Sequence, residues 1–385
     1  MSSGTWVPQI DGLRFVAIVS VLLFHIFGQL VGRIGHTVTV QPRYAMLQQI
    51  AGNGDRGVQL FFVISGYILA RPFLRQHRLG GRPVSLGAYY LRRVTRLEPP
   101  YILALLLYAV ALWAFGTPLR SMLPHLAASM AYVHNLVYRS PSTINFVTWS
   151  LEIEIQFYVL APLLGTVYLL RSSALRRSLL LALVLAGGAF SLYANSHDNV
   201  WRWTILNHLH YFLAGFLLAD FIDGHQQQPC RSVAWDAVSI IGWPMVFLLP
   251  RVNGTLAWLP LLVLPLYLAA FYGPASNWFF RRPFVALAGG MCYSIYLMHM
   301  LIISAVFKGT RHLAVFHDFL LNYAIQVATL GAAVAVFGTL YYVAIERPCM
   351  DPNWPRALWR RIARQSGPPA PAHHQADKKW SNHSP

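Results

Sequence analysis

Apolar stretches recur along this chain from one end to the other, each near the roughly 20 residues that a helix needs to cross hydrocarbon. We place spans near 13–31, 57–70, 99–116, 150–170, 178–194, 203–222, 235–249, 256–272, 283–306 and 319–344. The segment 121–137 is less apolar and reads as a re-entrant or surface helix. The pattern predicts an all-α integral membrane protein, a bundle of about ten transmembrane helices. Residues 1–350 form one membrane domain with no internal repeat. Residues 351–385 read as a disordered, basic and polar tail, since the last stretch (SGPPAPAHHQADKKWSNHSP) has few side chains that could build a core.

Composition supports the lipid environment. Of 385 residues, 56% are hydrophobic and 11% are charged, against about 25% charged in soluble domains. The net charge of +17 would suit nucleic acid only if a soluble domain carried it. With none outside the tail, we exclude nucleic acid as a partner. The charge is better explained by topology. If the N-terminus is inside, 20 of the 30 Lys and Arg fall in inner connections and the tail, and 9 fall in outer loops. This bias puts both termini in the cytoplasm, with the protein in the inner (cytoplasmic) membrane and an even number of spans. The first span lacks a basic leader ahead of it and a small-residue cleavage site after it, so it reads as a retained helix. Cys230, Cys292 and Cys349 do not form a disulfide framework. No Cys and His spacing fits a metal.

Polar side chains at span positions are costly and are therefore candidates for function. In the first span, Arg14 and His25 are eleven residues apart, close to three helical turns. They project from nearly one face, about 16 Å apart along the axis. They are either a snorkelling arginine and an interhelical hydrogen-bonding histidine, or a cationic rim and a deep general base. In Trp149–Tyr158, the residues Ser150, Glu154 and Tyr158 share a face at i, i+4 and i+8. Glu152 points elsewhere and suits the helix N-terminus electrostatically. In Cys292–His299, Tyr296 and His299 share a face at i, i+3, whereas Ser294 and His299 do not. These two groups serve equally as interhelical hydrogen-bond partners. His208, His210 and Asp220 read as packing or interfacial groups. Ser65-Gly66 within FFVISGY allows close helix packing. Pro99 and Pro100, after Arg92, Arg93, Arg96 and Glu98 in a basic inner loop, fit the first turn of a helix.

Taken together, these motifs resemble acyltransferase family 3, polytopic membrane enzymes that acylate sugars and related acceptors. The resemblance rests on Asp11-Gly12-Leu13-Arg14 with His25, FFVISGY at 61–67, Arg93-x-x-Arg96, WSLEIEIQFY at 149–158, YSIYLMH at 293–299 and Ile345-Glu346-Arg347-Pro348. The ordered set covers about residues 10–348, and the chain resembles the type without a fused hydrolase domain. The resemblance implies an O-acyltransferase, with acetyl the common donor, moving an acyl group from acyl-CoA to a hydroxyl of a sugar or glycan of the cell envelope. It implies His25 as the base and Glu154 as its orienter or as an acceptor ligand. Arg14, Arg93 and Arg96 would hold the donor phosphates or pantetheine. Ser65, Ser150, Tyr158, Tyr296 and His299 would line the cavity. Acyl-CoA would be a co-substrate, with no tightly bound cofactor. The other readings are a glycan transporter or flippase, or an acyltransferase with a small soluble acceptor such as a macrolide. The absence of inverted repeats and paired broken helices weighs against transport.

Overall fold

The computed structural model describes residues 6–34, 42–197, 200–224, 231–313, 317–351 and 353–354. The expected tail and Cys230 lie almost wholly outside the described residues. Within them the chain is helical, with no strand. In order, the helices are α1 (Pro8–Ile34), α2 (Ala45–Gly52), α3 (Gly57–Arg78), α4 (Leu86–Ala114), α5 (Leu119–Met130), α6 (His134–Tyr138), α7 (Trp149–Leu164), α8 (Ser173–Ser196), α9 (Leu209–Ile222), α10 (Val233–Leu248), α11 (Asn253–Tyr272), α12 (Pro274–Phe280), α13 (Pro283–Gly290), α14 (Cys292–Thr310) and α15 (Phe319–Tyr341). Among the described residues, eight helical segments are long and apolar enough to cross a membrane. Two shorter apolar helices, Leu209–Ile222 and Val233–Leu248, occupy the remaining positions expected from the sequence.

Helix α9 is the centre of the bundle. Every residue from His210 to Asp220 is buried, as expected of a helix that is apolar all round. It packs on α3, α8 and α11. Its approach to α3 is a contact of two backbones. A β-carbon on Gly66 would stand 2.2 Å from Phe212 O, and one on Gly215 would stand 2.3 Å from Val63 O. Each helix therefore presents a glycine to the other, which is how helices come close where no hydrophobic driving force acts between them.

Charged residues close the two ends of α3. Near its C-terminus, Arg71 Nε donates to Asp223 at 2.8 Å. Beside this pair, the buried Asp220 accepts from Arg176 Nε at 2.6 Å and Arg177 Nε at 2.7 Å. Just ahead of its N-terminus, the buried Arg56 donates to Val246 O at 2.5 Å and Leu249 O at 2.8 Å. These carbonyls belong to the last turn of α10 and to the residue that caps it, where intrahelical donors run out. The expectation that Asp220 is a packing group agrees with its two arginine partners.

The expected span 57–70 runs on to Arg78, and two further differences from the sequence expectation bear on the site. The helix expected to start at the prolines starts at Leu86, so Arg92, Arg93 and Arg96 are helical and Pro99 and Pro100 lie in mid-helix. Ser85 caps the start by accepting from Ala88 N. Pro99 has no N–H for the carbonyl of Thr95. That carbonyl instead accepts from Trp354 Nε1 at 2.9 Å, so the helix runs on. The expected span 283–306 is broken at Met291 into α13 and α14. Gly289 there lies against Asp11 O of α1, where a β-carbon could not fit. The segment 121–137 forms α5 and α6, with Met122, Leu126 and Ser129 of α5 buried.

Gly66→Ala must push α3 from α9, and we expect it to lose about 1–3 kcal/mol. The readout is a lower melting temperature of the purified protein in detergent. Gly28→Ala is the comparison, because a β-carbon there meets nothing within 4 Å, and it should be neutral or slightly stabilising. Equal melting temperatures for both variants and wild type would rule out the tight crossing.

Candidate functional site

A cavity of about 440 Å³ opens among α1, α3, α4, α7 and α14. Of the residues singled out in the sequence, Arg14, Ser65, Arg93, Arg96, Ser150, Glu154, Tyr158 and Tyr296 line it. His25 and His299 do not. Arg14 near the start of α1 and Glu346 beyond α15 both line this cavity. The two ends of the described chain therefore reach one face of the bundle.

One end of the cavity is cationic. Arg92 and Arg93 are neighbours on α4 with Arg96 one turn on, and Arg14 lines the same cavity from α1. Arg14 is fixed by Asp11, one turn earlier, at 2.8 Å. Arg93 lies between two rings, 4.8 Å from the centroid of Tyr89 and 4.7 Å from that of Tyr158. The Nε atoms of Arg93 and Arg96 are buried and have no hydrogen-bond partner. Unpaired guanidinium donors in a cavity wall suit an anionic ligand, since leaving them buried and unmatched is costly.

The middle of the cavity is a carboxylate held by hydroxyls. Glu154 Oε1 accepts from Ser65 Oγ at 2.6 Å and from Tyr158 Oη at 2.7 Å. Ser150, one turn before Glu154, lies 2.7 Å from Tyr296 Oη. Both hydroxyls also reach Val147 O, Tyr296 at 2.8 Å and Ser150 at 3.4 Å. The face expected from i, i+4, i+8 spacing is thus the cavity face of α7. Glu152 lies off it. It is fully buried and accepts from Asn135 N at 2.8 Å, so it ties α6 to α7 in addition to its place in the first helical turn.

Beyond Tyr296 lies the histidine pair. The rings of His25 and His299 have centroids 5.0 Å apart, and His299 is 5.7 Å from Tyr296. Phe24 and Phe146 meet His25 edge to face at 5.0 and 5.4 Å. The expected pairing of Glu154 with His25 does not form. The Glu154 oxygen that makes hydrogen bonds is taken by Ser65 and Tyr158, and no hydrogen bond or ion pair joins Glu154 to His25. His208 and His210 lie apart from the cavity, packed against Phe62 and Tyr211 respectively.

Glu346 is a cavity residue to which the sequence reading gave no role. It is buried at the end of a π-helical turn, Tyr342–Glu346, a feature frequent at functional sites. Its Oε2 accepts from Ser294 N at 3.1 Å and Ser294 Oγ at 2.6 Å. Its Oε1 stands 3.7 Å from Arg96 Nη2, a long ion pair. Glu346 therefore aims Arg96 without saturating it. Its position in Ile345-Glu346-Arg347-Pro348, at the end of a span, was the available signal.

A family model described as an acyltransferase domain matches residues 7–344. The chain belongs to acyltransferase family 3. Among curated proteins, a Staphylococcus aureus (strain COL) protein with the provisional name O-acetyltransferase is 24% identical over 388 residues, covering 92% of this chain and 59% of that protein. The peptidoglycan O-acetyltransferase OatA of Listeria monocytogenes is 29% identical over 179 residues, 43% of this chain and 25% of its own. BcsY of Komagataeibacter xylinus, provisionally named a membrane-bound transacylase, is 28% identical over 222 residues, 54% of this chain and 50% of its own. This acyltransferase-family chain thus spans about three fifths of the length of the staphylococcal relative. No solved structure matches it.

Glu154→Ala in this family member removes the acceptor of two hydroxyls. We expect a loss of about 1–3 kcal/mol in stability, read by thermal unfolding. Glu154→Gln keeps a carbonyl oxygen for both donors and should stay near the wild-type melting temperature. Equal loss in the two variants would mean that the carboxylate charge, not its acceptor geometry, holds the cavity wall.

Proposed function

We propose that this chain is a membrane O-acetyltransferase that moves the acetyl group of acetyl-CoA to a hydroxyl of a sugar or glycan. The observation that carries the reading is the order of chemistry along one cavity. Unpaired guanidinium donors stand at its mouth, hydroxyls and a carboxylate line its middle, and an imidazole pair lies behind its far wall. Family membership supports acyl transfer. The names of the relatives supply the acetyl group and, for the Listeria protein, a glycan acceptor.

In this reading the mouth takes the phosphates of coenzyme A. Arg93 and Arg96 offer fork-shaped donors that match phosphate oxygens, and Arg14 faces the same space. Acetyl-CoA is made in the cytoplasm, so the mouth faces inward, as does the excess of Lys and Arg in the sequence. Both termini are then cytoplasmic. The pantetheine arm is thin and long enough to run past Glu154 toward His25. The offset of Arg14 and His25 on one continuous helix, about 16 Å, is of the same order. The acceptor hydroxyl approaches the thioester from the other side. A hydroxyl is a poor nucleophile until a base takes its proton, and His25 is that base. Tyr296, Phe61 and the histidine rings are the parts that must shift for the two substrates to meet.

Calorimetry of acetyl-CoA with protein in nanodiscs tests the donor site. Wild type should bind, and Arg93→Ala with Arg96→Ala should weaken binding by about tenfold or more, one to three kcal/mol per lost charged hydrogen bond. Absence of binding of acetyl-CoA and of longer acyl-CoAs by wild type would refute the reading. His25→Ala should express normally and lower acetyl transfer by about 10²–10⁴-fold. Near-normal turnover of that variant would remove His25 as the base.

A further inference from the structure

His299 lies one turn beyond Tyr296 on α14, and its hydrogen bonds fix its proton. Its Nδ1 is 2.7 Å from Tyr296 O and 3.2 Å from Ile295 O. Both partners are carbonyl oxygens, which only accept, so Nδ1 is the donor. In a neutral imidazole the other nitrogen is then a bare acceptor. That nitrogen, Nε2, is buried and has no hydrogen-bond partner. The nearer of the two polar rings packed on His299 is His25, 5.0 Å away between centroids with planes 43° apart, against 5.7 Å for Tyr296. No hydrogen bond joins the two rings as they stand, and at this separation a turn of the His25 ring toward Nε2 would bring an N–H into hydrogen-bond range.

A histidine base must present a lone pair, not an N–H, to the hydroxyl it activates. In serine hydrolases a carboxylate fixes this by accepting from the opposite nitrogen. Here the candidate carboxylate, Glu154, is bonded to Ser65 and Tyr158. The other rings packed on His25 are those of Phe24 and Phe146, which cannot accept in that way. We propose that His299 is the positioning residue of His25. Its Nε2 accepts the N–H of His25, so that the opposite nitrogen of His25 faces the acceptor hydroxyl as a lone pair. The proposal rests on the acetyltransferase reading and adds to it the device that orients the base.

The transfer then balances without a buried carboxylate at the base. The hydroxyl oxygen attacks the thioester carbonyl, and the new C–O bond replaces the C–S bond. The hydroxyl proton passes to His25 and from there to the departing sulfur, which leaves as the thiol. His299 keeps its own proton on Nδ1 throughout and stays neutral.

The test uses purified protein in nanodiscs with acetyl-CoA and reads thiol release during transfer. His299→Phe keeps the ring volume but loses the acceptor. It should lower kcat by about 10–100-fold, as loss of an orienting partner does elsewhere, with KM for acetyl-CoA almost unchanged. His299→Gln restores an acceptor oxygen and should recover most of that loss. A Phe variant with wild-type kcat, or a Gln variant as slow as Phe, would overturn the proposal. The ¹⁵N spectrum of histidine-labelled wild type is independent of turnover. It should show His299 with a protonated Nδ1 and a bare Nε2, and His25 in one tautomer that becomes mixed in His299→Phe. A His299 protonated on Nε2, or a His25 signal unchanged in the variant, also sinks the pair. If wild type releases no thiol from acetyl-CoA, the acetyltransferase reading fails, while the spectrum still decides the pairing.

Discussion

The constraint on which this fold turns is the close backbone contact of α3 and α9 at Gly66 and Gly215. Lipid tails are as apolar as leucine, so burial of side chains cannot by itself drive helices together in a bilayer. Close packing can, and a missing β-carbon on both partners permits it here. The consequence reaches the site directly. Ser65 precedes Gly66, so the contact that fixes one also fixes where the Ser65 hydroxyl meets Glu154. Phe61 and Phe62, one turn earlier, are held against Tyr296 and Phe212. The cavity wall is thus set by a glycine pair that touches nothing in the cavity.

Charge follows the same economy of position. Most charged groups near the spans are matched: Asp220 with two arginines, Asp223 with Arg71, and Arg56 with the last carbonyls of α10. Matched groups of this kind hold the bundle and offer no ligand a place. The guanidinium groups of Arg93 and Arg96 differ. One is supported by two tyrosine rings and the other by a long pair with Glu346, and each keeps a buried donor free. This contrast, more than the number of arginines, marks the cavity mouth as a place for an anion.

The sequence carried the spans and the cavity face of α7 because both depend on local periodicity. Ser150, Glu154 and Tyr158 needed nothing but i, i+4, i+8 spacing to be placed together. What it missed depends on partners far along the chain. Pro99 and Pro100 read as a helix start because proline lacks a donor. The carbonyl freed by Pro99 is taken by Trp354, 259 residues away from Thr95, and no window of sequence contains both. The break at Met291 answers to a crossing with Asp11 of α1, again a distant cause. Analogy with a catalytic carboxylate offers Glu154 as the orienter of His25, beside its alternative place as an acceptor ligand, and local spacing does not reveal that Ser65, 89 residues away, bonds to it.

The separation of Glu154 from His25 has a physical sense. A carboxylate beside His25 would sit among Phe24, Phe146 and the apolar middle of α1 and α14, where an acid is expensive to insert. Glu154 lies instead where two hydroxyls and a cationic mouth accompany it. An imidazole offers the lone pair that a base needs from its orienting partner, and it does so without charge. It stabilises a developing imidazolium less than a carboxylate would, so such a pair gains most from geometry. In the proposed reaction the donor is a thioester, an activated acyl group with a good leaving group, and for such a donor a well-aimed neutral base would ask less of its surroundings than a charged relay.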